Sequence, residues 1–297
     1  FRNSFINDIT CNGEKTGFID LNVSGDFLPF SYSWSNGSSD EDIFNLFSGY
    51  YNVTVTDANN CTKDSLFYVS EPYLSIASTI NDVKCYGQNT GSIDLNVIGD
   101  NSPFTFNWYY GGTANSLLNI GEGTYFLTIK DNANCDTTLS FSISQPNKLE
   151  FSHKTNNTSC YGYSDGNSKT FVSGGTSPYN YSWSNGFASD SLFYLSSGKY
   201  ILNLIDANFC FYRDSIIVEE PSPMNIFSDQ KSPKCFSFND AEILINCSGG
   251  TKPYLYSWST GDTSKNLYSI SSGLYSLVVT DSNGCNLNRS FQIDEPD

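Results

Sequence analysis

Histidine, the most frequent general base in enzymes, is almost absent from this sequence. Its 297 residues include one histidine, His153, and one methionine. A lone histidine excludes a Ser-His-Asp triad in each of several repeated units, because every triad needs its own imidazole base. The sequence also lacks a Cys-x-x-Cys metal motif and a glycine-rich phosphate loop. We therefore predict a protein that is not an enzyme, with His153 in a solvated loop or strand.

Positive charge is scarce as well. There are 15 lysines and arginines against 31 aspartates and glutamates, and the formal net charge is −16. Such a charge repels nucleic acid and anionic lipid, so we expect no nucleic-acid partner. No stretch reaches the ~18 consecutive apolar residues of a membrane-spanning helix, and we expect no membrane insertion.

The cysteines reveal an internal repeat. Eight of the nine form four pairs whose members are 50 positions apart: Cys11 and Cys61, Cys85 and Cys135, Cys160 and Cys210, Cys235 and Cys285. The first cysteine recurs every 74 or 75 residues, and a tryptophan follows it by 23 positions each time: Trp34, Trp108, Trp183 and Trp258. A period of this length is typical of a tandem array of small domains.

Three other landmarks keep the same period. A Gly-x-Tyr step, an aspartate four positions before the second cysteine and a closing proline recur in every unit: Gly49, Gly123, Gly198 and Gly273; Asp57, Asp131, Asp206 and Asp281; Pro72, Pro146, Pro221 and Pro296. We predict four domains, 1–72, 73–146, 147–221 and 222–297, called repeats 1 to 4 below. Because the chain begins without methionine and ends one residue after the fourth proline, we expect a piece of a longer array.

The regular spacing leaves two schemes of disulfide pairing. Pairing within each repeat uses all eight cysteines and is the scheme we favour, since a domain of ~75 residues is marginally stable without a cross-link. Pairing across the junctions, such as Cys61 with Cys85, leaves Cys11 and Cys285 without partners. Either scheme predicts an oxidising compartment, and therefore a protein that is extracellular or exposed at the cell surface.

The ninth cysteine, Cys247, stands where the other repeats have valine: Val23, Val97 and Val172. It keeps the apolar phase of Ile243 and Ile245, and a free cysteine packs as a small hydrophobic residue. We predict a buried structural role for Cys247. The alternative is a free reactive thiol or an intermolecular bridge.

Apolar residues alternate with polar ones along most of each repeat, without a sustained helical period. In repeat 1 the alternating positions are Ile19, Leu21 and Val23; Phe30, Tyr32 and Trp34; Tyr51, Val53 and Val55; and Phe67 and Val69. This pattern, with Asn-Gly turns at 36–37 and 185–186, predicts an all-β fold of tandem immunoglobulin-like antiparallel sandwiches. The proline junctions are too short to act as flexible coils. We therefore expect an elongated, semi-rigid rod of roughly 120–140 Å.

The repeated pattern resembles a known family. Units of the form Cys-x-Gly…Gly-x-Ile-Asp-Leu…Pro-Tyr-x-Tyr-x-Trp-Ser-x-Gly…Gly-x-Tyr…Asp-x-Asn-x-Cys are similar to the SprB repeat, which builds large surface adhesins of gliding Bacteroidota. Repeat 4 matches well, from Cys235 through Pro253-Tyr254 and Trp258 to Cys285. Repeat 2 departs most, because Tyr109-Tyr110-Gly111-Gly112 replaces the Ser-Asn-Gly turn.

The resemblance implies a role at the cell surface. Such adhesins are exported by the type IX secretion system, moved by the gliding motor and used to grip surface polysaccharide or an abiotic substratum, so we expect contacts with motor and secretion components outside this chain. Three functions remain open: an adhesin stalk, a module that binds surfaces directly, and a non-catalytic spacer or carbohydrate-binding region of a secreted multidomain enzyme. The content of the flanking sequence and a screen against glycans would separate them.

Two sets of residues are candidate ligand or modification sites. The aspartates Asp57, Asp131, Asp206 and Asp281 lie beside asparagines in an acidic protein and are weak candidates for calcium, although aspartate also stabilises tight turns through its own backbone. No other cofactor is expected. Four Asp-Ser or Asp-Thr steps resemble the short O-glycosylation sequon of Bacteroidota and place candidate glycans on Ser65, Thr137, Ser191 and Ser215.

Overall fold

The computed structural model describes residues 4–296, and within this range all regular secondary structure is β-strand. Twenty-four strands are described, six in each predicted repeat. Repeat 1 contains β1 (Phe5–Asn7), β2 (Gly17–Asp20), β3 (Ser31–Trp34), β4 (Ile43–Leu46), β5 (Gly49–Thr56) and β6 (Thr62–Val69). Repeat 2 contains β7 (Leu74–Asn81), β8 (Gly91–Gly99), β9 (Thr105–Trp108), β10 (Ser116–Ile120), β11 (Gly123–Lys130) and β12 (Asp136–Ile143).

The second half of the chain has the same strand plan. Repeat 3 contains β13 (Glu150–Asn156), β14 (Gly166–Ser173), β15 (Asn180–Trp183), β16 (Ser191–Leu195), β17 (Gly198–Ile205) and β18 (Phe211–Val218). Repeat 4 contains β19 (Asn225–Lys231), β20 (Ala241–Ser248), β21 (Leu255–Trp258), β22 (Leu267–Ile270), β23 (Gly273–Thr280) and β24 (Asn286–Ile293). The predicted all-β fold is therefore confirmed.

Each repeat forms two antiparallel sheets of three strands. In repeat 1 the first sheet has the order β1-β2-β4 and the second has the order β3-β5-β6, and the other repeats keep this topology. The first, second and fourth strands thus lie in one sheet, and the third, fifth and sixth lie in the other. This is the connectivity of an immunoglobulin-type sandwich without its fourth (D) strand. The fifth and sixth strands pair over eight residues in every repeat, from Gly49↔Val69 to Thr56↔Thr62 in repeat 1.

The chain divides into two compact units, residues 1–146 and 147–297, and the boundary falls at the predicted junction after Pro146. Each unit contains two clusters of buried apolar side chains, one in each repeat. The finer division into four independent domains stays a prediction.

The four tryptophans lie in the cores. Trp34, Trp108, Trp183 and Trp258 each expose 3% of their surface or less. Each indole N–H donates to the carbonyl of the residue six positions later, at 2.8 to 3.1 Å. A buried indole with its N–H satisfied stabilises the core without a polar penalty. The four tryptophans are therefore core residues.

The Gly-x-Tyr step forms a corner at the start of the fifth strand. The hydroxyl of Tyr51 donates to the carbonyl of Phe47 at 3.0 Å, and Tyr125, Tyr200 and Tyr275 make the same bond to the residue four positions earlier. This is the geometry of the tyrosine corner in immunoglobulin-type sandwiches. The glycine has a φ of about +150°, as at Gly49 and Gly273, which a β-carbon would strain.

Candidate functional site

The disulfides join consecutive repeats, which corrects the predicted pairing. Cys11 of repeat 1 bonds Cys135 of repeat 2, with Cα atoms 5.4 Å apart, and Cys160 of repeat 3 bonds Cys285 of repeat 4, with Cα atoms 5.7 Å apart. Both the favoured pairing within repeats and the alternative pairing across junctions, Cys61 with Cys85, are therefore wrong. Cys85 and Cys210 are also disulfide-bonded. Among the described residues, Cys61, Cys235 and Cys247 are free.

The sandwich topology explains why Cys11 cannot reach Cys61. Cys11 lies in the loop between β1 and β2, beside the far end of β6, where the side-chain amide of Asn12 donates to the carbonyl of Pro72 at 2.9 Å. Cys61 directly precedes the start of β6. The eight residues of β6 span about 26 Å, whereas a disulfide needs Cα atoms within ~7 Å. The two cysteines of one repeat thus lie at opposite ends of its sandwich.

The loop that carries the first cysteine is held by a carboxylate. We call this segment the Cys loop; in repeat 1 it comprises residues 10–14. The N–H of Glu14 donates to the carbonyl of Cys11 at 3.2 Å. The N–H of Gly13 donates to Glu71 at 2.7 Å, and the hydroxyl of Ser48 donates to the other oxygen of Glu71 at 2.7 Å. These two bonds lower the pKa of Glu71.

The other repeats hold their Cys loops in the same way. The polar residue before the closing proline accepts the N–H of the residue two positions after the first cysteine, through Gln145, Glu220 and Glu295. Sequence reasoning missed this position, although a Glu or Gln before each proline keeps the period of the repeat. It fixes the backbone that presents the first cysteine.

The second cysteine sits at the end of a tight turn held by the periodic aspartate. One carboxylate oxygen of Asp57 accepts the N–H groups of Asn59 and Cys61, both at 2.9 Å. Asp131, Asp206 and Asp281 make the corresponding pair of bonds at 2.8 or 2.9 Å. The periodic aspartate therefore stabilises a tight turn directly before the second cysteine.

These aspartates have structural partners that a calcium ion would have to displace. The second carboxylate oxygen of Asp281 accepts a hydrogen bond from the N–H of Thr251, and the second oxygen of Asp206 accepts one from the N–H of Thr176. In repeat 2, the second oxygen of Asp131 accepts a hydrogen bond from the side-chain amide of Asn101. Burial acts to raise the pKa of Asp281, but these N–H donors outweigh it and the pKa lies below its ordinary value. Within residues 4–296, no group of three or more His, Cys, Asp or Glu side chains is placed to hold a metal.

Contacts beside each disulfide seat the Cys loop of one repeat on the turn of the next. The side-chain amide of Asn101 donates to the carbonyl of Thr10 at 3.2 Å, and that of Asn283 donates to the carbonyl of Ser159 at 3.0 Å. The junction itself is anchored because the N–H of Tyr73 donates to Asp100 at 2.8 Å. Loop, turn and junction form one site in both compact units.

Other predicted sites lie away from this junction. Cys247 is half-buried and packs against the core of repeat 4, and burial raises the pKa of its thiol. Its predicted burial is thus partial, as it is for the valines at the matching positions. His153 is exposed on β13 and stacks on Phe151, as expected for a strand histidine. The candidate glycosylation residues are partly exposed on strands: Ser65, Thr137, Ser191 and Ser215.

Several aromatic side chains lie on the outer faces of the sheets. Tyr50 and Tyr68 are 70% and 51% exposed, and their rings are 4.7 Å apart. Phe18 contacts both Phe5 and Phe44, with each pair of ring centroids 5.7 Å apart. These residues are available to a ligand, in contrast to the buried tryptophans. No helix in the described part of the chain is long and apolar enough to cross a membrane.

The family model described as SprB repeat matches three segments, residues 3–39, 77–113 and 228–263. These segments lie in repeats 1, 2 and 4 and run from the first strand through the aromatic strand. The resemblance to the SprB repeat is therefore confirmed. Repeat 2, whose turn departs from the pattern, is among the matches. No curated protein is similar enough to this chain to match it.

Solved structures that resemble the chain contain immunoglobulin domains. The N-terminal eight Ig domains of Down Syndrome Cell Adhesion Molecule isoform 1.30.30 are 12% identical, with a TM-score of 0.29. The alignment covers 98% of this chain and 49% of that structure, so this chain spans about half of that structure's length. The N-terminal four Ig domains of Dscam1 isoform 9.44 are 12% identical, with a TM-score of 0.25 and 99% of both chains covered.

Proposed function

We propose that this chain, a member of the SprB-repeat family, is a repeat segment of a large secreted cell-surface adhesin. In this proposal the repeats form a disulfide-linked, semi-rigid filament used in surface attachment and gliding motility. The observation that carries the proposal is the disulfide between consecutive repeats, Cys11–Cys135 and Cys160–Cys285. An array linked in this way is suited to transmit force along its length.

The link supports a load-bearing role because it bypasses the junction between two repeats. If only the short segment around Pro72 joined two repeats, tension would pull the neighbouring sandwiches apart until that segment was fully extended. The Cys11–Cys135 bond ties the loop of repeat 1 covalently to the turn of repeat 2, and the Tyr73–Asp100 hydrogen bond anchors the segment between them. We therefore infer that tension passes through covalent bonds at the junction.

For the parent protein we propose an extracellular location, export by type IX secretion and movement by the gliding motor, with surface polysaccharide or an abiotic substratum as the object gripped. The acidic composition, with a net charge of −16, supports a solvated location outside the cell. Disulfides support an oxidising compartment.

Surface labelling of the native host tests this function. Antibody fragments raised against the chain should label intact cells, and deleting the segment that encodes it should reduce attachment to glass and polysaccharide-coated surfaces. Deleting an unrelated surface protein of similar size is the matched control. Absence of label on intact cells, or attachment that is unchanged in the deletion strain, would overturn the proposal.

The exposed aromatic faces favour a second candidate, a carbohydrate-binding or spacer region of a secreted multidomain enzyme. Adjacent, exposed rings such as Tyr50 and Tyr68 can pack against sugar rings. A glycan-array screen should then show selective binding that is lost in a Tyr50→Ala, Tyr68→Ala double variant. The exposed Leu274 offers a control, since Leu274→Ala removes an exposed apolar group in another repeat.

A further inference from the structure

The two exposed free cysteines are the unpaired halves of the junction seen elsewhere in the chain. Cys61 is the second cysteine of repeat 1, equivalent to Cys135 and Cys285, whose partners come from the preceding repeat. Cys235 is the first cysteine of repeat 4, equivalent to Cys11 and Cys160, whose partners come from the following repeat. One half-site therefore accepts a Cys loop and the other offers one.

The surface around Cys61 has the shape of a receiving site. A groove at the repeat 1–repeat 2 junction is lined on the repeat 2 side by Phe104, Ile129, Asp131, Cys135, Asp136 and Thr137, and on the other side by Cys11, Asn12 and Glu14 of the Cys loop. The matching residues of repeat 1 line a groove too: Phe30, Val55, Asp57, Cys61, Thr62 and Lys63. The Asp57 turn has the same hydrogen bonds as the occupied turns.

The Cys235 loop is already folded in the shape of the loops that dock. The N–H of Phe238 donates to the carbonyl of Cys235 at 3.2 Å, as Glu14 does to Cys11 and Tyr163 does to Cys160. Ser237 adopts a φ of 60°, close to the 75° and 73° of Gly13 and Gly162. Phe236 and Phe238 are 68% and 53% exposed, and their counterparts Tyr161 and Tyr163 line the groove at the repeat 3–repeat 4 junction.

We propose that the surface around Cys61 binds the Cys loop of the preceding repeat in the parent array, and that the two thiols then form a disulfide, an inference that rests on the proposed function. The Cys235 loop of a second copy of this chain presents an equivalent Cys loop and serves as the probe. By analogy with Asn283, the side-chain amide of Asn59 would donate to the carbonyl of Lys234 in the second copy. The contact uses different surfaces on its two sides, so it adds repeats head to tail instead of closing a two-fold dimer. Cys247, half-buried and lacking a counterpart cysteine in the other repeats, takes no part.

Bond formation requires an oxidant, for which glutathione disulfide suffices. The Cys61 thiolate attacks glutathione disulfide and releases one glutathione thiolate, which leaves a mixed disulfide. The Cys235 thiolate of the docked copy then attacks the Cys61 sulfur and releases the second glutathione. Two protein thiols are oxidised, one glutathione disulfide is reduced, and the two protons are taken up by the two glutathione thiolates.

Mixing two single variants of the full chain tests the proposal. Cys61→Ser retains only the Cys235 half-site, and Cys235→Ser retains only the Cys61 half-site. In a buffer of reduced and oxidised glutathione, the mixture should form Cys235–Cys61 dimers about tenfold faster than either variant forms symmetric dimers, because docking raises the effective thiol concentration. Peptide mapping under non-reducing conditions identifies the bond. Symmetric dimers at an equal rate, or monomers only, would overturn the proposal.

Docking variants separate recognition from thiol chemistry. Asn59→Ala and Glu295→Ala should each slow the Cys235–Cys61 reaction. Glu295→Gln should not, because Gln145 accepts the corresponding hydrogen bond in repeat 2. Asn52→Ala, on β5 and away from the turn, is the matched control for Asn59. Reaction with a small thiol reagent checks that both thiols stay equally accessible. Equal dimer rates in all four variants would contradict specific docking.

Discussion

At the scale of single residues, the periodic aspartate is buried in repeats 3 and 4 but not in repeat 1. Asp206 and Asp281 are 1% and 3% exposed, whereas Asp57 is only half-buried. All three hold the same turn, but Thr251 and Thr176 cover the second carboxylate oxygen in repeats 4 and 3. The sequence predicts the turn because aspartate bonds its own backbone; burial depends on neighbours that the local pattern does not specify.

Replacing Asp281 by asparagine should destabilise the β23–β24 turn. Asn keeps one acceptor oxygen but turns an N–H₂ group towards the N–H of Thr251, and the lost charge-assisted bonds should cost about 2 kcal/mol. Hydrogen exchange of residues 273–293, followed by mass spectrometry, measures the effect. Asp57→Asn is the matched control and should cost less, since water can solvate Asp57. Equal losses in the two turns would contradict this account.

The stability of repeat 4 should depend on acid pH. The pKa of Asp281 in the folded chain lies below its ordinary value of 3.8, because backbone N–H donors outweigh burial. The unfolded state therefore binds more protons between the two pKa values, so stability is full above the ordinary pKa and falls as the pH drops through the folded value. Hydrogen exchange between pH 6 and pH 2 should show this fall, and Asp281→Asn should flatten it. An unchanged slope in that variant would contradict the assignment.

At the scale of strands and turns, the sequence predicts much of what the structure contains. Alternation around Ile19, Trp34 and Val53 locates buried strand faces, because side chains of a strand point to opposite sides in turn. The spacing of the cysteines alone does not predict the disulfide pairing. Cys61 and Cys135 occupy equivalent positions in repeats 1 and 2, so the spacing does not decide which of them bonds Cys11. Strand topology decides between them, because it places the loop with the first cysteine and the turn with the second cysteine at opposite ends of each sandwich.

The tyrosine corner should stabilise the connection between the fourth and fifth strands. Tyr200→Phe removes the bond from the hydroxyl to the carbonyl of Ser196, at 2.8 Å, while it keeps the ring. We expect a loss of about 1 kcal/mol in the stability of repeat 3, measured by hydrogen exchange of residues 191–205. Tyr194→Phe, on the preceding strand β16 of the other sheet and 85% exposed, is the control and should change nothing. Comparable effects of both variants would sink the claim.

At the scale of the whole molecule, the disulfides determine how neighbouring repeats are connected. The Cys11–Cys135 bond closes a loop with a sequence separation of 124 residues that contains most of two cores. On the chain-entropy estimate, such a loop contributes about 5 kcal/mol against unfolding. The cross-link thus stabilises a pair of repeats together and does not close either one alone.

Removing this bond should loosen the junction before it unfolds a core. In a Cys11→Ser, Cys135→Ser double variant, we expect chymotrypsin to cut after the exposed Tyr73 about tenfold faster, because junction opening is no longer restrained by the cross-link. Cys247→Ser is the matched control and should be cut at the rate of the unmodified chain. Cleavage at an unchanged rate in the double variant would show that the hydrogen bonds of the junction suffice.

The central claim is that disulfides link consecutive repeats, and peptide mapping of the oxidised chain tests it most directly. Digestion of the monomeric fraction without reduction, with free thiols blocked beforehand, should yield cross-linked peptides that contain Cys11 with Cys135 and Cys160 with Cys285, and blocked peptides that contain Cys61 and Cys235. Cross-linked peptides that join Cys11 with Cys61, or Cys235 with Cys285, would contradict the account.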